Sequence, residues 1–298
     1  MRRSLGALGG ASLVMLMLVA AFTPAAGADV VGPINFEPPA YSVGDINGQH
    51  GWKKTGPYDV AVAPLSSFPA AAGYRFGKQA LRSSDAFVSG SFGDQTFSPG
   101  LANEAGESSA FNAGLSSGPR QTDFAAGFAI GTTKATQQPG LHMSVSPDRG
   151  DGARMSYLRF EDHADGVHVF FDDVTDSGPF PTEATFNETD IATLSRTQAH
   201  LIGFSIHFKD GPANDVVKIY IDGQLKITGT TWEDYYRYDI EQVGNGNKVP
   251  TVDKLLFRES GAPTPINLGN GFLMDYVTLA SFTPRCEKSG HGDRCSEE

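Results

Sequence analysis

Cysteine is scarce, with two residues in a chain of 298, too few for a scaffold built on disulfides. Positive charge is scarce as well. Lys and Arg total 23 against 34 Asp and Glu, a formal net charge of -11, which argues against a nucleic-acid or polyanion binder and favours a neutral partner. After the first residues no apolar run approaches the ~20 residues of a spanning helix, so membrane insertion is not expected. No block repeats at a fixed period, which disfavours solenoids and propellers. A sustained apolar stripe at helical spacing is also missing.

What is present is turn-rich and apolar: 35 Gly and 18 Pro in a chain that is 40% hydrophobic and 10% aromatic. That combination describes a globular chain, neither disordered nor collagen-like. Arg2 and Arg3 precede an apolar run from Ala11 to Phe22, and Ala26-Gly27-Ala28 follows with small residues. This is the pattern of a secretory leader over residues 1–28, with Asp29 as the first mature residue. Losing the two arginines makes the net charge -13. A secreted, extracellular and monomeric protein is the expectation. Residues 29–283 then form one domain, and 284–298 a polar tail. In an oxidising compartment Cys286 and Cys295, with eight residues between them in that tail, are expected to pair. Two thiols and His291 fall short of a structural zinc set.

Runs rich in β-branched and aromatic residues recur at Phe124 to Ile130, Met155 to Glu161, Val167 to Asp172, Leu201 to Phe208, Val216 to Ile221, Leu225 to Thr228, Lys254 to Arg258 and Phe272 to Leu279. Turn residues bound most of them, and Asp222-Gly223-Gln224 reads as a hairpin turn. Alternation puts Ile202, Phe204, Ile206 and Phe208 on one face, and Val217, Ile219 and Ile221 opposite Lys218 and Tyr220. Strands with one apolar face stack as two antiparallel sheets over a shared core. The fold class is therefore all-β, a two-sheet antiparallel sandwich or jelly roll. The polar stretches Gly90 to Gln121 and Thr230 to Pro250 are then expected to be rim loops.

Ile34-Asn35-Phe36-Glu37, Tyr41, Gly44 and Gly48-Gln49-His50-Gly51-Trp52 at the start, Val217-Lys218-Ile219-Tyr220-Ile221-Asp222-Gly223, and Gly271-Phe272-Leu273-Met274-Asp275-Tyr276-Val277 at the end resemble secreted bacterial domains of the concanavalin A-like, laminin-G-like jelly-roll superfamily. The resemblance runs from about Val30 to Phe282. It implies a jelly roll whose members include lectin-like modules, glycoside hydrolases and polysaccharide lyases. In several branches calcium ties the first strand to the last through acidic residues, and the resemblance implies such a role for Glu37 and Asp275, with carbonyls from the loop Gly44 to Gly51. Six to eight oxygens would be required. A hydrogen-bonded carboxylate pair is the plainer alternative.

The hydrolase branch carries alternating carboxylates on one strand, so that an acid and a nucleophile reach one glycosidic bond together. Glu188-Thr189-Asp190 lacks the third carboxylate and lies in a region of weak strand character. Glu161-Asp162 and Glu233-Asp234 are adjacent pairs that point to opposite faces; solvated turn carboxylates explain all three, and isolated Asp85, Asp94 and Asp148 also read as turn residues. A lyase would need Tyr, His and Arg on a concave sheet, and Tyr157, Arg159, His168, His207, Tyr220 and Arg258 fall on polar strand faces without a specific motif. The aromatic segment Trp232, Tyr235, Tyr236, Arg237 and Tyr238 is a better candidate. Flat rings stack on sugar C–H faces while charged groups take hydroxyls, so Trp232, Tyr235, Tyr236 and Arg237 form a candidate carbohydrate-binding set. Trp52 is a further candidate. Buried packing is the competing role for each. The reading that follows is a secreted, non-catalytic, lectin-like protein for an extracellular glycan; a polysaccharide-degrading enzyme, lyase ahead of hydrolase, or a structural cell-surface domain are the alternatives.

Overall fold

The computed structural model describes residues 28–88, 95–111, 116, 118–176, 183–259 and 261–284, together with the backbone of 286–289 and 292–295. Strands are numbered in chain order. The larger sheet pairs β14 (Gln224–Gly229), β13 (Val216–Ile221), β12 (His200–His207), β7 (Asp123–Thr132), β16 (Phe272–Phe282), β5 (Gln79–Ser83), β4 (Val60–Pro64) and β2 (Gly44–Asp45) in that order. β1 (Asp29–Ile34) also joins β16. The second sheet runs β11 (Thr185–Leu194), β10 (Val167–Asp176), β9 (Leu158–Asp162), β8 (His142–Asp148), β15 (Lys254–Arg258), β6 (Gln95–Phe97) and β3 (Lys53–Lys54). Every pairing within these sheets is antiparallel. The expected two-sheet sandwich is the fold.

Alternation explains why the two layers face each other. Ile202, Phe204 and Ile206 from β12 and Val217, Ile219 and Ile221 from β13 are buried, as their period-2 pattern requires. From the other sheet Met143, Val145, Leu158, Phe160, Val169, Phe171, Leu255 and Phe257 join the same core. Rings run through it in sequence: Trp52 lies 5.7 Å from Phe257, Phe257 5.9 Å from Phe128, Phe128 6.2 Å from Phe160, and Phe160 6.3 Å from Phe272. The last three meet edge-to-face, and such contacts add to simple area burial.

Three local expectations are revised. The strand anticipated from Met155 begins at Leu158. The stretch Thr230 to Pro250 contains a helix, α1 (Glu233–Tyr238), and a 3-10 segment, Ile240–Asn245. The region of Glu188 is a ten-residue strand, β11, at the edge of the smaller sheet; its polar composition reflects one ladder neighbour and a solvated face rather than a lack of strand structure. In the tail, β17 (Cys286–Ser289) and β18 (Gly292–Cys295) pair with Cys286 opposite Cys295. Residues 1–27 of the leader lie outside the described residues.

Candidate functional site

The smaller sheet turns Phe160 and Leu158 inward, so Arg159 and Glu161 on the same strand face out. The neighbouring strands present His142 in β8, His168, Phe170 and Asp172 in β10, and Glu188 and Asp190 in β11 on that face. Leu256 and its cross-strand partner Phe97 also point away from the core yet are buried. The open half of the face is therefore the one from β8 to β11.

Arg159 is its hub. The guanidinium carbon stands 4.5 Å above the centre of the Phe170 ring, and the side chain pairs with both Glu161 and Glu188. Asp172 lies directly opposite Glu188 across the β10–β11 ladder. Burial first, and then the Glu188 charge, push the Asp172 carboxyl up to about 6, with Arg159 opposing. At mildly acidic pH this carboxyl holds a proton. His168 bridges Asp190 at 2.6 Å and Asp165 at 2.9 Å. Those bonds, Asp190 foremost, raise its pKa above the ordinary imidazole value. His163 stacks on His168 with ring centres 4.4 Å apart and shares a 2.9 Å hydrogen bond with Glu161.

Aromatic rings border this strip at the Asp172 end. The Trp232 indole N–H donates to the Asp172 carbonyl at 3.0 Å, and its ring stacks on Tyr157 at 5.8 Å with 20° between planes. Phe186, 42% exposed, meets Trp232 edge-on at 4.8 Å and Tyr235 at 5.4 Å. Trp232 and Tyr235 are half-buried. Burial, and then the Glu241 carboxylate that accepts the Tyr235 O–H at 3.1 Å, push that phenol up to about 12, so it stays a donor.

The rest of the anticipated binding set is placed differently. Tyr236 is buried, and its hydroxyl donates to the Arg154 carbonyl at 3.0 Å. Arg237 is locked between Glu107 and Glu233 and donates to the Gly211 carbonyl at 3.0 Å. Trp52 is 1% exposed, enclosed by Phe36 and Phe257. Tyr236 and Trp52 offer no open face and serve packing, and Arg237, half-buried, is spent on its ion pairs; Tyr236 points inward from the helix while Trp232, just before it, and Tyr235 stay half-buried at its edge. Glu233 and Asp234, read as solvated, are buried beneath the half-buried Arg237. Asp85 and Asp148 are likewise buried.

The residues considered for lyase chemistry are divided between layers. Tyr157, Arg159 and His168 gather at this face, with Arg258 farther along the same sheet. His207 and Tyr220 belong to β12 and β13 of the other sheet, where His207 pairs with Asp123 at 3.0 Å. Phe186 and Asp172 were not anticipated as site residues, and Glu188 was read as a solvated turn carboxylate. Phe186, Glu188 and Asp190 alternate in the sequence, and that period was the available signal.

Glu37 and Asp275 do come together. β1 pairs with β16, and Asp275 sits where the β16 ladder is bulged, with Tyr276 at φ 55°. Glu37 lies beyond the end of β1 rather than within it. Its Oε1 accepts the Lys78 N–H and, at 2.9 Å, the Gln79 N–H, and a Cβ at Gly77 would lie 2.0 Å from that oxygen. Asp275, fully buried, accepts from Tyr276 N–H at 2.9 Å and Gly77 N–H at 3.3 Å. Burial, with Glu37 adding to it, pushes the Asp275 carboxyl up to about 7. Meanwhile Gln49 ties the glycine-rich loop back onto the carbonyls of Ser42 and Asp45. Both carboxylates thus face backbone N–H donors, as the hydrogen-bonded alternative expects.

No family model matches the chain, and no curated protein matches it by sequence. Solved structures do. An endo-beta-1,4-glucuronan lyase from the fungus Trichoderma reesei is 13% identical over 81% of this chain and 94% of its own, with a TM-score of 0.40. Beta-agarase A from Zobellia galactanivorans is 14% identical over 88% and 95%, also at 0.40. A sialidase is 10% identical over 78% of this chain at a TM-score of 0.38, and the match spans 17% of the sialidase.

Proposed function

We propose that the chain is a secreted glycan-binding sandwich that lays a neutral or weakly charged oligosaccharide along the outer face of β8 to β11. One sugar ring would rest against Phe186, Trp232 and Tyr235. The following units would take hydrogen bonds from Arg159 and give them to Asp172, Glu188 and Asp190. The observation that carries this reading is the continuity of the aromatic rim with the strip, made through the Trp232 bond to Asp172. Planar charged groups and flat rings side by side are what a hydroxyl-rich, C–H-faced ligand needs. The acidic excess on the strip disfavours a polyuronate. Screening the protein against immobilised neutral and acidic glycans, beside Trp232→Ala, tests it; a neutral hit lost in the variant supports the proposal, and an unchanged hit places binding elsewhere.

A polysaccharide-degrading enzyme is the second reading, favoured by Asp172 and Glu188. A carboxyl pushed up to about 6 by burial, set opposite a second carboxyl group that pairs with Arg159, is the kind of carboxyl pair that glycosidic chemistry uses. Release of new reducing ends from a bound glycan, lost in Asp172→Asn, would establish it; unsaturated ends would identify a lyase.

A further inference from the structure

Beyond Arg159 the strip runs into a second feature. Tyr157, immediately before β9, and Arg159 and Glu161 within it share the outer face, so Glu161 stands about 13 Å along the strand from the Tyr157–Trp232 stack at the rim, four residues at about 3.2–3.4 Å each. There the surface sinks into an open depression of about 390 Å³, bordered by Gln137, Leu141, Glu161, Asp162, His163 and Ala164. That volume falls within the range of small-ligand sites, about 300–1,000 Å³.

Its walls are held in place by the buried Asp162. That carboxylate accepts the Gln138 N–H at 2.7 Å and the Arg196 Nε–H at 2.7 Å, while the Asp162 carbonyl accepts the Gln137 side-chain amide at 3.0 Å. The turn between β9 and β10 is closed by the His163 N–H, which donates to the Gly166 carbonyl at 2.9 Å. The shape therefore exists before a ligand arrives, which lowers the ordering cost of binding. Glu161 is fixed between Arg159 and His163, whose Nε2 lies 2.9 Å from the carboxylate. Facing a carboxylate, Nε2 carries the hydrogen, and Nδ1 of the neutral ring is left as an acceptor. His142, at the border, is turned away to the Gly140 carbonyl at 2.8 Å, with the Asp85 carboxylate 3.5 Å behind it.

We propose that this depression is a second sugar subsite, and that the ligand is a linear, uncharged oligosaccharide long enough to rest on the aromatic rim and fill the depression at once. The inference rests on the glycan-binding reading above and adds to it the length and charge of the ligand. The Glu161 carboxylate and His163 Nδ1 accept from hydroxyls, the Gln137 amide both gives and accepts, and Leu141 and Ala164 supply surface for ring C–H groups. Arg159, between the two places, is already committed to Glu161 and Glu188. An anionic substituent would meet those carboxylates and Asp190 instead. One chain joining two subsites makes the second contact intramolecular, so affinity climbs steeply once the chain spans both.

The test is calorimetric titration of the full chain with uncharged β-linked gluco-, manno- and galacto-oligosaccharides of increasing length, from disaccharides to hexasaccharides. For a chain type that binds, affinity should step up about tenfold or more at the length that first spans rim and depression, then level off. Ala164→Trp, which fills the depression from an exposed position, and His163→Ala, at a side chain 45% exposed, should each erase that step and bring long chains down to the affinity of short ones. Trp232→Ala should weaken short and long chains alike. A step that survives in both depression variants, or an affinity that does not grow with length, overturns the second subsite and leaves the glycan-binding reading standing. Failure of every oligosaccharide to bind overturns both.

Discussion

The two tryptophans occupy opposite situations. Trp52 is enclosed in the inter-sheet core, ring against Phe36 and Phe257. Trp232 sits half-buried at the rim, stacked on Tyr157 with Phe186 at its edge. Both come from polar, glycine- or acid-rich stretches, so composition around each gives little warning of the difference. The contrast teaches that an aromatic becomes a candidate ligand platform through what its neighbours leave uncovered. Trp52 is enclosed by Phe36 and Phe257; Trp232 rests on one sheet edge, and its polar atom is spent on the backbone of Asp172.

The largest effect should come from the core. Trp52→Ala is expected to cost about 3–5 kcal/mol of stability, the range for deleting a large buried ring, and to leave the glycan affinity of the remaining folded protein unchanged. Chemical denaturation followed by binding at low temperature separates the two. A small stability loss with lost binding would reverse the roles assigned to the two tryptophans.

At the rim, Trp232→Ala should weaken glycan binding by about 1 kcal/mol or more while stability falls less than for Trp52→Ala. The indole hydrogen bond and the Tyr157 contact make some loss of melting temperature inevitable. Trp232→Phe should retain most of the stacking, which sharpens the distinction between ring face and fold.

Asp275 extends the comparison to buried carboxyls. Its pKa is raised to about 7 by burial first and Glu37 second. The folded state thus binds more protons than the unfolded chain between pH ~4 and 7, so this group makes stability fall as pH rises through that window, with the loss complete above it. Asp275→Asn should flatten the decline, shrinking the difference in melting temperature between pH 5 and pH 8 by on the order of a few degrees. Asp215, also raised to about 7 by burial and Glu233, keeps its own contribution of the same sign. An unchanged pH profile in the variant would show that Asp275 is ionised throughout.

The smallest expected change is at the candidate site itself. Glu188→Gln removes the charge opposite Asp172, and the Asp172 titration, followed by carboxyl carbon NMR, should move toward lower pH while staying above an ordinary aspartate. Burial is the larger cause and survives the change. A full return to the ordinary value would make Glu188 the controlling group.

Much of the architecture was legible in advance. Phe204 with Ile206, and Ile219 with Ile221, alternate with polar neighbours, and period 2 in a chain without helical stripes leaves a sandwich as the way to bury one face of each strand. β11 was missed because an edge strand whose outer face is solvated needs few apolar residues. Glu188 and Asp190 were therefore visible as carboxylates and invisible as members of a strand. Conversely Tyr236 and Arg237 looked like site residues because they adjoin Trp232, yet the helix turns Tyr236 inward and Arg237 is spent on Glu107 and Glu233.

What the sequence determined by itself was the class of fold and the inward face of its central strands, because side-chain alternation is a local property. Tertiary structure alone decided which polar residues meet: Arg159 between Glu161 and Glu188, Asp172 beside Glu188, and His142 in front of Asp85. Such meetings depend on strand order and register across ladders and loops far apart in the chain, and a one-residue shift in any of them would turn these groups to the other face.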